Sequence, residues 1–341
     1  MTKSEDIVIV GGGPAGAYCG YELAKKGIET AIFDQSHPRD KPCGGRITPL
    51  AFEKFPELKK IVLKEGITTK FKVITCSGKE VIIPQTNRIF GEAINVSRKY
   101  LDKELLEMAE ENGAKLLAEK VLNIKKEHNS WRIKTKKGTI IANLVIGADG
   151  VNSIVRLRTA GPISSKNLAL TYSYIGEGID KEYSIVKFLA DFPGYIWVFP
   201  WRNNGSVGIG SEIQYRREFS RILDEFIKFD LPKFKITSKF YAKLPKGESK
   251  FFSIPCAGKD WILVGDAAGH VDPITGEGIL YALWSGKLAA KAIIRNEIEK
   301  YDDDWRQEYG DKLVEQAAKR DLFYNPFNIE LLGLKSGSKG T

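Results

Sequence analysis

The stretch Ile7-Val8-Ile9-Val10-Gly11-Gly12-Gly13-Pro14-Ala15-Gly16 constrains this chain more than any other. Four consecutive β-branched residues read as a strand buried on both faces, because parallel strands covered on each side show apolar runs instead of alternation. Gly11, Gly13 and Gly16 then make G-x-G-x-x-G where the strand turns into a helix. Glycines there permit the tight turn, close approach of the backbone to a pyrophosphate, and tight strand–helix packing. Free N–H groups and the positive end of the helix dipole attract phosphate charge. The helix is predicted over 17–26, Gly27 stops it, and 28–33 reads as a second strand ending in Asp34. An acid at that position is placed to hold a nucleotide ribose through its hydroxyls. Strand, glycines, helix, second strand and acid together point to a dinucleotide site without saying which dinucleotide.

Composition sets the frame. The chain has 341 residues, enough for about two domains, with 43% hydrophobic and 28% charged residues as in ordinary water-soluble proteins. The apolar runs are too short to span a bilayer, and 1–6 has no signal-peptide core. Cys19, Cys43, Cys76 and Cys256 show neither a CxxC pair nor His spacing, so neither a metal site nor a disulfide framework is expected. The reducing cytoplasm is the expected setting, with the inner face of the membrane as a secondary one. The net charge of +9 is spread among acids along the chain, which reads as solvated faces and not as a nucleic-acid surface.

Beyond Asp34, the prolines and glycines of 35–48 mark a loop, followed by one short helix over 49–60. Residues 71–77 and 80–83 make a hairpin about Gly78, and 97–112 an amphipathic helix with Leu101, Leu105, Met108 and Ala109 on one face. Strands over 115–121, 131–135 and 139–142 resemble an antiparallel meander, and 144–150 reads as a separate apolar strand ending in a Gly/Asp turn. The span 168–213 is strand-like, 215–229 amphipathic helix, 261–264 a buried strand, and 279–297 a long helix. The Gly/Ser/Lys-rich 333–341 reads as a disordered tail. Nucleotide-type strands thus stand at the start, middle and near the end, with sheet-forming insertions between them. The expected organisation is a discontinuous nucleotide domain of 1–67, 86–159 and 246–300. A sheet domain of 68–85 and 160–245 is inserted in it, and a short helical region, 301–332, follows.

Three motifs in order resemble the fingerprints of FAD-dependent oxidoreductases with the para-hydroxybenzoate-hydroxylase-like fold. They are Gly13/Gly16 with Asp34, then Ala148-Asp149-Gly150 with Ser153 and Arg156, then Gly265-Asp266-Ala267-Ala268. Within that fold, Lys41-Pro42-Cys43-Gly44-Gly45 and Pro193-x-Tyr195-x-Trp197-x-Phe199-Pro200 look like the geranylgeranyl reductase family, in a short member. The resemblance implies an α/β architecture: an interrupted Rossmann-like FAD domain of glutathione-reductase type with an inserted antiparallel β-sheet substrate domain. It implies FAD as cofactor and reduction of isolated double bonds in prenyl chains of lipids, quinones or chlorophyll side chains.

It also implies site residues. Gly11, Gly13, Pro14, Ala15 and Gly16 would take the pyrophosphate, and Asp34 the ribose. Asp266 after Gly265 would hold the ribityl chain through its hydroxyls. Gly276, Gly278 and Ile279 would open the long helix under the isoalloxazine, where its dipole stabilises negative charge on the reduced ring. Arg98 would pair with the pyrophosphate. Cys43, Gly44 and Arg46 would lie near the flavin, with Val121 and Asp149 as further contacts, Asp149 more as support than as direct ligand. Cys43, Tyr195 and Trp197 would line the substrate pocket, although periodicity alone assigns the alternating Tyr195, Trp197 and Phe199 to a sheet-face core. His270 and Tyr195 are the candidate proton donors. Partners would be a prenyl lipid or prenylated quinone, an external electron donor (ferredoxin or NAD(P)H), and the membrane as a peripheral contact, without nucleic acid. Two rival readings use the same fold: a flavin monooxygenase or halogenase acting on a small aromatic, and an electron-transfer flavoprotein with no lipid substrate of its own.

Overall fold

The computed structural model describes residues 2–36, 38–87, 91 and 93–335. They form two compact units, one of Met1–Arg39, Asp102–Asn167 and Pro245–Ala318, the other of Asp40–Leu101, Leu168–Leu244 and Lys319–Thr341.

The first unit is built on a mostly parallel sheet. Its strands run Ala257–Gly258, Trp261–Leu263, Thr139–Gly147, Thr2–Val10, Thr30–Phe33 and Lys115–Leu117 in spatial order. Val10 lies in register with both Gly147 and Phe33, so three strands end at the same level. The residues that follow them, Gly11, Ala148 and Asp34, therefore emerge at one edge, the carboxyl end where open α/β sheets take ligands. The helices Pro14–Ala24 and Ile279–Ile294 pack tightly together. A Cβ on Gly286 would stand 2.4 Å from the Ala15 carbonyl oxygen, and one on Gly20 2.6 Å from the Ile32 side chain.

Three sequence expectations change here. Thr139–Gly147 is one continuous strand, not two: exposed Asn143, which read as a break, donates to Asp6 (3.0 Å) and the strand runs through it. The same strand is antiparallel to Ser130–Thr135 at its start and parallel to the first strand throughout. Lys115–Leu117 belongs to the parallel sheet beside Thr30–Phe33, so the meander begins only at Val121–Glu127. The single helix expected over 49–60 is two, Pro49–Lys54 and Pro56–Val62, because Phe55 precedes a proline and leaves the helical region (φ −136°, ψ 74°).

The second unit holds a nine-stranded sheet among the described residues. Leu168–Glu177, Gly205–Glu212, Gly194–Pro200 and Tyr183–Phe188 pair antiparallel in that order. The sheet is not antiparallel throughout: Tyr183–Phe188 runs parallel to Ile67–Ile74. These strands come from distant parts of the chain, so no hairpin dictates their direction. One face is covered by the helix Phe219–Asp230. Its Phe219, Leu223, Phe226 and Ile227 form a buried cluster with Tyr172, Tyr174, Ile196, Val198, Val207 and Ile209. The helix Pro326–Lys335 extends into the stretch expected to be a disordered tail, and 336–341 lie outside the described residues.

Gly286→Ala is expected to destabilise the first unit by about 1–3 kcal/mol, the usual cost of forcing extra volume into a packed contact. Urea unfolding of the two proteins checks this as a shift in midpoint with unchanged slope.

Candidate functional site

The glycine loop of the first unit is shaped by distances no side chain tolerates. Gly11 has φ +106°, and a Cβ on it would lie 2.3 Å from the Ala148 carbonyl oxygen; a Cβ on Gly16 would lie 2.0 Å from the Gly11 carbonyl oxygen. The helix that follows starts at Pro14, whose missing N–H costs nothing at this position. Its N-cap Gly13 offers no side-chain cap, so the N–H groups of the first turn are left for a ligand. Asp34 clamps this loop: one carboxylate oxygen accepts the Gly12 N–H (2.8 Å), and the other accepts the Ser36 N–H (2.8 Å) and hydroxyl (3.1 Å). A carboxylate has about four acceptor sites, so this clamp is compatible with a ribose contact.

The third fingerprint meets the first. Gly265 has φ +56°, and a Cβ there would come within 3.1 Å of the Ala15 Cβ. From Ile262 to Ile274 every residue is buried except Asp266, which is half-buried. Its Oδ1 lies 3.5 Å from where a Cβ of Gly278 would be, at the start of the Ile279–Ile294 helix. The loop between them is held by Asp272, whose Oδ1 accepts the N–H groups of Ile274 and Thr275 (2.9 Å each). Glu277 caps the long helix by accepting the Leu280 N–H at 3.0 Å. Gly276, exposed at φ +69°, is the turn that this loop requires.

The middle fingerprint supports both. Asp149 Oδ2 accepts the Ile154 N–H (2.6 Å) and Ser153 Oγ the Arg156 N–H (2.9 Å), which start the short helix Ile154–Arg158. Arg156, 2% exposed, donates to the Ala267 and Ala268 carbonyls (3.1 and 3.4 Å), and its guanidinium sits 5.1 Å from the centre of the Phe251 ring. This residue, marked in sequence only as part of a fingerprint, braces the Asp266 loop. Asp149 Oδ1 is buried with no hydrogen-bond partner, and burial raises its carboxyl pKa. Val121 opens its strand with a buried side chain, leaving only its backbone for a ligand.

His270 does not fit a proton donor. It is fully buried, its Nδ1 lies 2.9 Å from the Tyr309 hydroxyl and its Nε2 3.7 Å from Cys256 Sγ, and Trp305 packs on its ring at 4.3 Å. Burial, followed by the charges of Arg156 and Arg306, lowers its pKa to about 3. It is a neutral core group.

The second unit carries the remaining candidates. In the strand Gly194–Pro200, Ile196 and Val198 enter the core under the helix, so Tyr195, Trp197 and Phe199 lie on the opposite face. Periodicity alone assigns these aromatics to a sheet-face core, and Trp197 is buried, while Tyr195 and Phe199 are half-buried on the face away from the helix. Opposite them in register stand Gly210, Gly208 and Ser206. The indole of Trp197 lies across Gly208, where a Cβ would be 2.1 Å from the ring, and its Nε1 donates to Ser206 Oγ at 2.9 Å. On the other side Phe188 faces Tyr195, and Val186 faces Trp197. The result is an aromatic ridge beside a row of minimal side chains.

The Cys43 loop meets this face. Trp201 Nε1 donates to the Gly44 carbonyl (2.9 Å), and a Cβ on Gly44 would strike the Phe199 ring at 2.2 Å. The carbonyl of Gly45, a residue at φ +71°, accepts the Val96 N–H (2.9 Å). Cys43 is half-buried beside them. Arg46 lies with its guanidinium 4.4 Å from the Phe71 ring centre and donates to the Gly91 carbonyl at 3.1 Å. Arg98 is half-buried at the start of the helix Arg98–Glu111. Trp201 had no sequence signal beyond following Phe199-Pro200, yet it fixes the loop.

The residues fit FAD: a backbone cradle too tight for any Cβ, an orphaned buried acceptor on Asp149 beside it, and one half-buried acid, Asp266, near the start of a second helix. Fold and cradle define an FAD-binding oxidoreductase, and the FAD binding domain family matches residues 4–172. The geranylgeranyl diphosphate reductase of Rhodobacter capsulatus is 32% identical over 308 residues, covering 84% of this chain and 74% of that protein. The digeranylgeranylglycerophospholipid reductase of Methanocaldococcus jannaschii is 27% identical, over 96% and 88%. A geranylgeranyl bacteriochlorophyll reductase-like structure from Thermoplasma acidophilum superposes with a TM-score of 0.85 at 23% identity, covering 99% of this chain and 93% of that one. The chain belongs to the geranylgeranyl reductase family.

Gly11→Ala is expected to yield colourless protein, checked by the flavin absorbance of the purified variant. For His270, the folded pKa lies below the unfolded value of 6.5, so the unfolded chain binds the proton first. Its contribution is complete above about pH 6.5 and is lost as pH falls toward about 3. His270→Gln is expected to flatten that part of the stability–pH curve, measured by urea unfolding across the range, while flavin turnover stays within a few-fold of wild type.

Proposed function

We propose that this protein is an FAD-dependent reductase that saturates carbon–carbon double bonds in the prenyl chain of a lipid or prenylated quinone, with electrons from an external donor. The observation that carries the reading is the second face of the nine-stranded sheet, where Tyr195, Trp197 and Phe199 stand beside Gly208 and Gly210. A long hydrocarbon without polar handles needs such a surface: apolar and rigid, with the Trp197 ring seated over Gly208.

Bound FAD supplies hydride transfer. The chain's own groups bind and orient. The first turn of the Pro14–Ala24 helix takes the pyrophosphate, with Arg98 as its cationic partner. Asp34 and Asp266 accept hydrogen bonds from ribose and ribityl hydroxyls. The start of the Ile279–Ile294 helix, from Gly276 through Gly278, turns its dipole toward negative charge on the reduced ring, with Glu277 holding the Leu280 N–H. Cys43, Gly44, Tyr195 and Trp197 position the alkene and exclude water, with Tyr195 the remaining proton-donor candidate. No helix among the described residues is long and apolar enough to cross a membrane. A membrane-borne substrate therefore calls for peripheral contact, for which Leu322 and Phe327, 66% and 70% exposed, are suited.

Reduced enzyme mixed anaerobically with a geranylgeranyl lipid is expected to return oxidised flavin and saturated product, read by absorbance and lipid mass spectrometry. Oxygen consumption with a hydroxylated product instead overturns the reading. Trp197→Ala is expected to raise KM for the lipid about tenfold, roughly 1.4 kcal/mol of lost contact, with flavin content unchanged.

A further inference from the structure

Near the end of the chain, Asn325-Pro326 separates a helix that closes at Phe323 from the helix Pro326–Lys335, whose Phe327 N–H donates to Asn325 Oδ1 at 3.0 Å. The corner turns Phe323 and Tyr324 onto the sheet of the second unit. Their ring centres lie 5.7 and 6.1 Å from that of Phe188, which lies 6.2 Å from Tyr195. Phe188 stands in register with Tyr195, the first ring of the aromatic row. Two polar clasps hold the corner. Arg320 Nη1 donates to Glu212 at 2.7 Å. Glu330 accepts from the Thr75 hydroxyl (2.9 Å) and from the Ser77 hydroxyl and N–H (2.8 Å each). Glu212 lies two residues past Gly210, and Thr75 two past Val73, so pleating puts both on the face that carries the row. The clasps therefore pin Arg320–Glu330 across the strands at one end of that row. Arg320 and Tyr324 are buried, with the guanidinium 5.3 Å from the ring centre. The other end of the face is polar. Ser184, two residues before Val186, has its hydroxyl 2.7 Å from that of Thr69 and accepts from Asn95 Nδ2 at 2.7 Å, and all three are buried.

We infer that the Phe188, Phe323 and Tyr324 rings are the end stop of the hydrocarbon surface and set the length of chain it holds; the inference rests on the reductase reading above. Four strand residues separate Phe199 from Tyr195, about 13 Å, the reach of roughly ten carbon–carbon bonds in an extended chain. A methylene lying on the row leaves water, which favours each added carbon up to Tyr195. The next one meets rings held from both sides. Moving them breaks the ion pair of a buried arginine and three hydrogen bonds to one carboxylate, so the stop does not yield to a longer chain. Because this end is apolar and the Phe199 end carries hydroxyls and an amide, a chain with one polar end lies with its hydrocarbon terminus against Phe188.

The test measures binding, not turnover. Saturated straight-chain alcohols from hexanol to hexadecanol are titrated into flavin-loaded protein, with tryptophan fluorescence as the signal. Wild-type affinity is expected to rise about fourfold per methylene and then to level off at a limiting length. Phe323→Ala should move that limit to a longer alcohol and Phe323→Trp to a shorter one, with both clasps intact to keep the fold. Phe229→Ala removes a ring that is 73% exposed on the helix covering the other face, and should leave the limit in place. Loss of packing alone lowers affinity equally at every length and moves no limit. An unmoved limit in a flavin-loaded Phe323 variant overturns the inference. So does wild-type affinity that climbs without a limit, or an alcohol series that does not bind. Saturation of a geranylgeranyl lipid is scored separately. An unmoved limit with saturated product leaves the reductase reading standing, and a moved limit without product leaves the stop standing.

Discussion

The first unit depends on backbone approaching backbone at distances that exclude a Cβ. Gly11 against Ala148, Gly16 against Gly11 and Gly286 against Ala15 are three such contacts, and together they draw two helix starts toward the ends of the central strands. A helix start is useful to a dinucleotide only when its free N–H groups can reach the phosphate. Any side chain at these glycines would push the helix away and fill the space meant for the ligand. The tight contacts are therefore both packing and binding, and one substitution disturbs both.

Buried polar groups transmit this arrangement. Arg156 is desolvated, which lowers its pKa, yet it keeps its charge by donating to two carbonyls and lying against Phe251. A buried cation is costly unless its donors are used. Here one guanidinium nitrogen holds the loop that presents Asp266 while the buried Nε has no partner, so the cost is met only in part, by a fixed position for the one half-buried acid in that stretch. His270 solves the same problem in the opposite way, by staying neutral among Tyr309, Cys256 and Trp305.

The cofactor side was legible in sequence because its chemistry is local. Glycines, the acid after the second strand and the Gly-Asp loop each sit at fixed offsets from strands that announce themselves by apolar runs. What escaped was non-local. The continuity of Thr139–Gly147 through Asn143 comes from pairing with Thr2–Val10, where Asn143 meets Asp6, 137 residues away. The parallel pairing of Tyr183–Phe188 with Ile67–Ile74 leaves no mark in either strand. Trp201 and Arg156 act through carbonyls of distant loops, which no side-chain pattern reveals. His270 appeared reactive beside a glycine, and only its surroundings show it as core.

The alternation in Gly194–Pro200 holds the most consequential ambiguity. A period of two says that Tyr195, Trp197 and Phe199 share a face, and says nothing of what that face meets. Both faces of this strand are apolar, which ordinarily means burial between two layers. One layer is present as the Phe219–Asp230 helix. On the other side the neighbouring strand offers glycine at two successive inward positions, 208 and 210, where a core would place bulk. The glycines make room for the Trp197 ring, which a Cβ at Gly208 would strike at 2.1 Å and which is itself buried. What that face still offers is the half-buried rings of Tyr195 and Phe199 on either side of Trp197, a rigid apolar surface that suits a hydrocarbon better than a polar ligand.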